Sequence, residues 1–219
     1  MPSTFDQSTY QVRLDWGTAG LSRLAPADIV VVVDVLRFSS TVIDAVASEQ
    51  SVVSAETEQW SRNGAAVVAA TSPEATVLVG GIRNAAAVAR AVQEIQERRQ
   101  ARTSVAVIAA GEVDDGGALR FAVEDQLGAG AIILALSDRG IDHTSPDAAV
   151  AAEGFRALRG ALRHMIGASG SGRELAAGVE ATARIEASGL TPTAVADAAV
   201  LDAVDVVPVL HEGAFTRFV

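Results

Sequence analysis

The sequence predicts an α/β fold, with a mainly parallel or mixed sheet flanked by helices and a more helical C-terminal half. Three observations carry this reading. Short apolar runs alternate with helical patterns along the chain, which is the signature of βαβ units. One run, IVVVV at 29–33, is apolar without interruption, as strands covered on both faces are. The apolar 49% of the 219 residues is largely Ala and Val with few aromatics, a composition that suits buried strands backed by close-packed helices. This length supports one α/β unit over residues 1–219; if the chain packs as two close lobes, they divide near 140–150.

The expected strands are VRL at 12–14, IVVVV at 29–33, TVLVG at 76–80, SVAVIA at 104–109 and AIILAL at 131–136. Between the third and fourth, Val88, Val92 and Ile95 recur at helical spacing within NAAAVARAVQEIQERR. Leu119, Val123 and Leu127 mark one face of a further helix. After Pro146 a long helical segment places Phe155, Leu158, Leu162 and Met165 on one stripe, and GASGSG at 167–172 reads as a turn into more helix. VVPVL and AFTRFV read as short closing strands, Pro208 favouring a sheet edge.

Composition also excludes functions. No run approaches the roughly 18 apolar residues of a membrane span. The polar start lacks a basic segment followed by an apolar one, so a cytoplasmic protein is expected. The absence of cysteine rules out disulfides, thiolate nucleophiles and Cys-based zinc sites, but leaves room for a hard, oxygen-bound metal. A net charge of −10 argues against nucleic acid as a partner, while local arginines can still hold a compact anion.

Three loops after expected strands carry chemistry. In VVVVDVLRFSSTVIDAV, Asp34 falls at the carboxyl end of a strand, where open α/β sheets place their ligands. Thr41 and Asp44 fit a capping box, so the helix start, the hydroxyls of Ser39 and Ser40 and the guanidinium of Arg37 can converge on one anion such as a phosphate. Helix capping with an Asp34–Arg37 pair accounts for the bare pattern equally well. In GGIRNAAAV, Arg83 is available to an anion and Asn84 reads as a helix N-cap. In AAGEVDDGGALRFAVEDQLGAG, the acids Glu112, Asp114, Asp115, Glu124 and Asp125 follow a strand. Several could hold magnesium, which takes few carboxylates and completes its shell with water and phosphate oxygens. For Asp114 and Asp115 a solvated acidic face is the better reading. The three histidines show no metal-ligand spacing, and no Ser-His-Asp order is evident.

The words ADIVVVVDVLRFSSTV, TVLVGGIRNAAAVA, VAVIAAGE, VEDQLGAGAI, SGRELAAG and DVVPVL, in this order, resemble the 2-phosphosulfolactate phosphatase (ComB-like) family. The resemblance implies a magnesium-dependent phosphatase that hydrolyses 2-phosphosulfolactate to sulfolactate and phosphate on the route toward coenzyme M. It points to Asp34, Arg37 and Thr41 in the first motif, Asn84 in the second, Gly111 in the third and the pair Glu124 and Asp125 in the fourth. Asp34, Arg37 and Asp125 are then the expected catalytic residues. Ser39, Ser40, Thr41, Asn63, Gly64, Arg83, Asn84 and Gly111 are expected to bind substrate, and Asp34, Glu112, Glu124 and Asp125 to hold Mg2+. Asp34 serves as ligand or base in preference to nucleophile.

The chain departs from the family at Phe38, Ser39 and Ser40, where Ala-Thr-Thr is usual. It also lacks the Gly-rich segment ending in Asn-Ser-Pro between Glu58 and Ser61, and keeps only Asn63 and Gly64 of the following Thr-Thr-Asn-Gly-Thr motif. The expected partner is therefore a small anionic phosphorylated substrate, with no nucleic acid or membrane and with homo-oligomerisation left open. The alternative is a catalytically weakened member that binds an anionic metabolite or acts as a subunit.

Overall fold

The computed structural model describes residues 3–114 and 116–219. Asp115 lies outside them. The chain runs through β1 (Val12–Trp16), α1 (Gly17–Arg23), β2 (Ile29–Val33), α2 (Ser40–Ala47), β3 (Val52–Val53), α3 (Ser54–Thr57), α4 (Asn63–Ala69), β4 (Thr76–Val79), α5 (Ala85–Arg99) and β5 (Val105–Ala109). A two-stranded ribbon of β6 (Glu112–Val113) and β7 (Leu119–Arg120) follows. Then come α6 (Val123–Ser137), α7 (Pro146–Leu158), α8 (Leu162–Ala168), α9 (Gly170–Ala177), α10 (Glu180–Ala187) and α11 (Val195–Ala198), and finally β8 (Pro208–His211) and β9 (Ala214–Arg217).

Seven strands form one mixed sheet in the order β1-β5-β2-β4-β8-β9-β3. The first four are parallel, and β8, β9 and β3 are added antiparallel. Strand alternation divides the core. Val31, Val33 and Val107 face α5, α6 and α7, whereas Val30, Val32 and Ile108 face a layer containing Phe38, Val42, Trp60 and Phe215. All five residues of β2 are buried, as expected of a central strand covered on both sides.

Several expected elements take another form. AIILAL belongs to α6, not to a strand. This helix packs on the sheet against both α5 and α7 and is buried almost all round, so its apolar residues form an unbroken run that periodicity alone cannot distinguish from a strand. Leu119 sits in β7, and the helix starts only at Val123. The helical segment after Pro146 breaks at Arg159–Ala161, around Gly160, and leaves Leu158 exposed while Phe155 and Leu162 are buried. GASGSG is a helix junction: the Ser169 hydroxyl accepts the Gly172 N–H at 3.0 Å and caps α9. Pro208 does not mark a sheet edge, since β8 lies between β4 and β9. It is the first residue of its strand, and β8 pairs with β4 through Leu78 and Val209. No described helix is long and apolar enough to cross a membrane.

Close approach of α6 to α7 requires Gly130, where a Cβ would lie 2.2 Å from the Ala151 carbonyl oxygen. Gly130→Ala should therefore cost about 1–3 kcal/mol in urea unfolding, an overpacking penalty. Gly154→Ala, within α7 and with nothing inside 4 Å, should stabilise by about 0.5–1 kcal/mol through helix propensity. Equal effects of the two substitutions would contradict this packing.

Candidate active site

The loop after β2 is a tight five-residue turn, Val35–Ser39, that contains a cis Leu36–Arg37 peptide and leads directly into α2. Its hydroxyls serve the backbone. Ser39 Oγ accepts the Asp34 N–H (3.0 Å) and donates to the Val32 carbonyl (3.3 Å), and Ser40 Oγ donates to the Val35 carbonyl (2.7 Å). The expected capping box is not formed: α2 starts at Ser40 without a side-chain cap, and Thr41 Oγ1 is buried without a partner among the described residues. Asp44 instead accepts from Arg83 Nη1 (2.6 Å) and Thr193 Oγ1 (2.5 Å).

Asp34 is nearly buried, and its two carboxylate oxygens accept backbone N–H groups from separate elements. Oδ2 takes that of Gly64 at the start of α4 (3.0 Å), and Oδ1 that of Phe38 (3.4 Å). Only glycine fits at 64, because a Cβ there would lie 2.7 Å from the Phe38 ring and 2.8 Å from Asp34 Oδ2. Asp125, in the first turn of α6, ties the neighbouring loops together. Its Oδ1 accepts the Val35 N–H (2.7 Å) and its Oδ2 the Gly111 N–H (2.9 Å), Gly111 holding a positive φ of 67°.

A cavity of about 340 Å3 opens above these strand ends, lined by Asp34, Arg37, Trp60, Asn63, Glu112 and Arg184 among others. Arg37 is mostly buried; its Nη2 lies 3.8 Å from Glu174 Oε2 and its Nη1 is buried without an acceptor among the described residues. Asn63 Oδ1 is likewise buried and has no partner among the described residues. A second cavity of about 260 Å3 adjoins the first and shares Glu112 and Glu174 with it; Glu124 lines this second one.

The structure thus brings together Asp34, Arg37, Asn63, Gly64, Gly111, Glu112, Glu124 and Asp125. It does not bring Ser39, Ser40, Thr41, Arg83 or Asn84 into either cavity lining. Arg83 is paired with Asp44, and the fully buried Asn84 is not a side-chain N-cap. Its Oδ1 accepts the Gly81 N–H (3.0 Å), and its Nδ2 donates to the carbonyls of Val206 (2.9 Å) and Val79 (3.3 Å). Residue-by-residue reading also missed a wall supplied by α9 and α10, with Glu174, Glu180 and Arg184. Glu174 lies in SGRELAAG, a stretch that carried the resemblance without being assigned a role.

The electrostatics are those of crowded carboxylates. Burial, and then the charges of Glu112 and Glu124, push Asp34 up to about 6 against its two N–H bonds. Burial, followed by the charges of Asp34 and Glu124, holds Asp125 well above the usual carboxylate range. Glu112 is raised by burial and by Glu174, and Arg37 and Arg120 partly offset this. Among the described residues no three metal-ligating side chains converge into an all-protein cage. The donor set suits magnesium in its usual mode, with one or two carboxylates and the remaining positions left to water and phosphate oxygens; a divalent cation would also relieve the mutual repulsion of these acids.

A family model described as 2-phosphosulpholactate phosphatase matches residues 59–213. The chain belongs to this family. Among curated proteins, no match is found. Family membership supports a phosphoric monoester hydrolase. The matched span of this phosphatase-family chain includes Asn63, Gly64, Gly111, Glu112, Glu124 and Asp125 but begins after Asp34 and Arg37. The hydrogen bonds from Gly64 to Asp34 and from Val35 to Asp125 join the two parts into one crevice.

A carboxyl raised in the folded state favours folding while protonated and opposes it once ionised. The wild type therefore loses stability as pH rises from about 4 to beyond 6, and Asp34→Asn escapes the part of that loss that belongs to Asp34. In metal-free buffer, the stability of Asp34→Asn relative to wild type should climb across pH 4 to 8, on the order of 3 kcal/mol at 1.36 kcal/mol per pKa unit. Urea unfolding at several pH values measures this, and a pH-independent difference would remove the assigned cause.

Proposed function

We propose that the protein hydrolyses a small anionic phosphate ester, 2-phosphosulfolactate first among the substrates to be tested, with the aid of magnesium. Besides family membership, the observation that carries this reading is the buried Arg37 Nη1, without an acceptor among the described residues, in the same crevice as the buried carboxylate of Asp34. A guanidinium with an open donor is fitted to a phosphoryl oxygen by charge and by fork geometry.

In this reading Arg37 binds the phosphoryl group and offsets the charge that grows on it during transfer. Asp34, held by Gly64 and Phe38, stands poised near neutrality to take the proton of the attacking water. The P–O ester bond breaks, and the departing oxygen is protonated from solvent to give the alcohol. Glu112 and Glu124 would hold magnesium, which when bound supplies Lewis-acid polarisation of phosphoryl oxygens. Asp125 keeps the Val35 and Gly111 loops at the spacing that this arrangement needs.

The deciding experiment follows phosphate release from 2-phosphosulfolactate and a panel of small phosphorylated acids, with magnesium and then with a chelator. Magnesium-dependent release is expected. Binding of these esters without release from any would favour a weakened, metabolite-binding family member. Arg37→Ala should lower kcat/KM by roughly 10- to 150-fold, the equivalent of losing about 1.5–3 kcal/mol of a charge-assisted contact. Arg90→Ala on α5, which removes an exposed pair with Asp205, should have little effect. Equal kinetic losses would dissociate Arg37 from the phosphate.

A further inference from the structure

Arg83 lines neither cavity, but its ion pair with Asp44 has a third member. Asp44 Oδ2 accepts from Arg83 Nη1 (2.6 Å) and also from the hydroxyl of the buried Thr193 (2.5 Å), 149 residues further along the chain than Asp44. The Arg83 side chain is mostly buried, and its Nε has no partner among the described residues, so the guanidinium is held to Asp44 by its own charge. The backbone beside it is tied down as well: the carbonyls of Ile82 and Arg83 accept the N–H groups of Asp202 (3.1 Å) and Val204 (2.9 Å). Asp44, on α2, is therefore fixed to the loop after β4 and offers Thr193 an immobile anchor.

Thr193 ends the segment that follows α10. This helix gives Glu180, Ala181 and Arg184 to the wall of the first cavity. It is lightly held. Gly178 and Gly189, both at positive φ (72° and 80°), bracket it, and its first turn has no side-chain cap. Ile185 is its one buried residue; it joins the core layer of Phe38 and Trp60, against which Leu190 also packs. No other described helix or strand packs broadly on α10. A helix of eight residues does not persist alone in water, so α10 keeps its shape only while seated. Its seat consists of Ile185, Leu190 and the tether at Thr193.

We infer that Asp44 is a positioning residue for the crevice: backed by Arg83, it latches Thr193 and so keeps α10 seated as a wall of the cavity that holds Asp34 and Arg37. For its catalytic consequence the inference rests on the phosphatase reading; the latch itself does not. Asp44 lines neither cavity and acts only through α10, which shields the crevice from water and completes its binding surface. When α10 is unseated for part of the time, substrate binding weakens by the fraction of time that the wall is missing.

The test uses Thr193→Val, which removes the hydroxyl and leaves the Asp44–Arg83 pair intact. Asp44→Ala would strand the Arg83 guanidinium and is avoided. Amide hydrogen exchange in α10, followed by mass spectrometry on the full chain, should speed up about tenfold or more, as expected from losing a hydrogen bond to a charged group. Thr193→Ser should restore the wild-type rate. Gly130→Ala, which strains the α6–α7 packing instead, should leave exchange in α10 unchanged, because local opening does not involve that contact. With 2-phosphosulfolactate, Thr193→Val should raise KM about threefold or more at unchanged kcat, and Thr193→Ser should return KM to the wild-type value. Unchanged exchange in Thr193→Val, or equal acceleration by Gly130→Ala, overturns the latch. Acceleration without a rise in KM overturns the positioning role. If the wild type turns over no ester, the phosphatase reading fails separately and exchange alone decides: acceleration in Thr193→Val that Gly130→Ala does not share keeps the latch, and any other pattern removes it.

Discussion

Two loops that leave the sheet at neighbouring strands would be free to drift apart were it not for one carboxylate. Asp125 receives the Val35 N–H and the Gly111 N–H on its separate oxygens. It can do so only because α6 lies close against the strand ends, where Gly128 leaves no Cβ to strike Val33 and Val35. The turn so held places Asp34 against Gly64 and presents Arg37 to the crevice. Burying this anion is costly, as its raised affinity for a proton shows, and the two backbone bonds offset part of that cost.

Much of the fold was legible where a run of residues admits a single environment. IVVVV, five β-branched residues in a row, reads as a strand covered on both sides, and the spacing of Val88, Val92 and Ile95 reads as one face of a helix. AIILAL was not legible, because a helix buried all round shows no polar stripe to set its period. The crevice divides in the same way. Asp34 and Arg37 follow from strand-end logic, whereas Ser39, Ser40 and Asn84 carry the same polar atoms but spend them on nearby backbone groups, a choice that only three-dimensional packing decides. Glu174 and Arg184 come from helices far along the chain, and no local pattern announces that these pack back over the β2 loop.

The arrangement of charge in the crevice has its own logic. Carboxylates outnumber arginines there, which on its own would repel a phosphate. Arg37 and Arg120 are placed among the acids, so that attraction for an anion is local while the surrounding field remains negative. Under the proposed function, a protein of net charge −10 would hold a small anion in this way without becoming a general surface for polyanions.

The antiparallel β8–β9 pair that extends the sheet beyond β4 bears on the order of assembly. Parallel strands β1, β5, β2 and β4 are all in place by residue 109, yet the far side of β4 acquires its neighbour only from residues 208–211. Until then TVLV presents an unpaired, apolar edge, the kind of template on which strands of other molecules add. Closing it takes a contact of very long sequence separation, which places completion of the sheet among the slow events of folding and makes β4 the segment most in need of shielding while the chain is young.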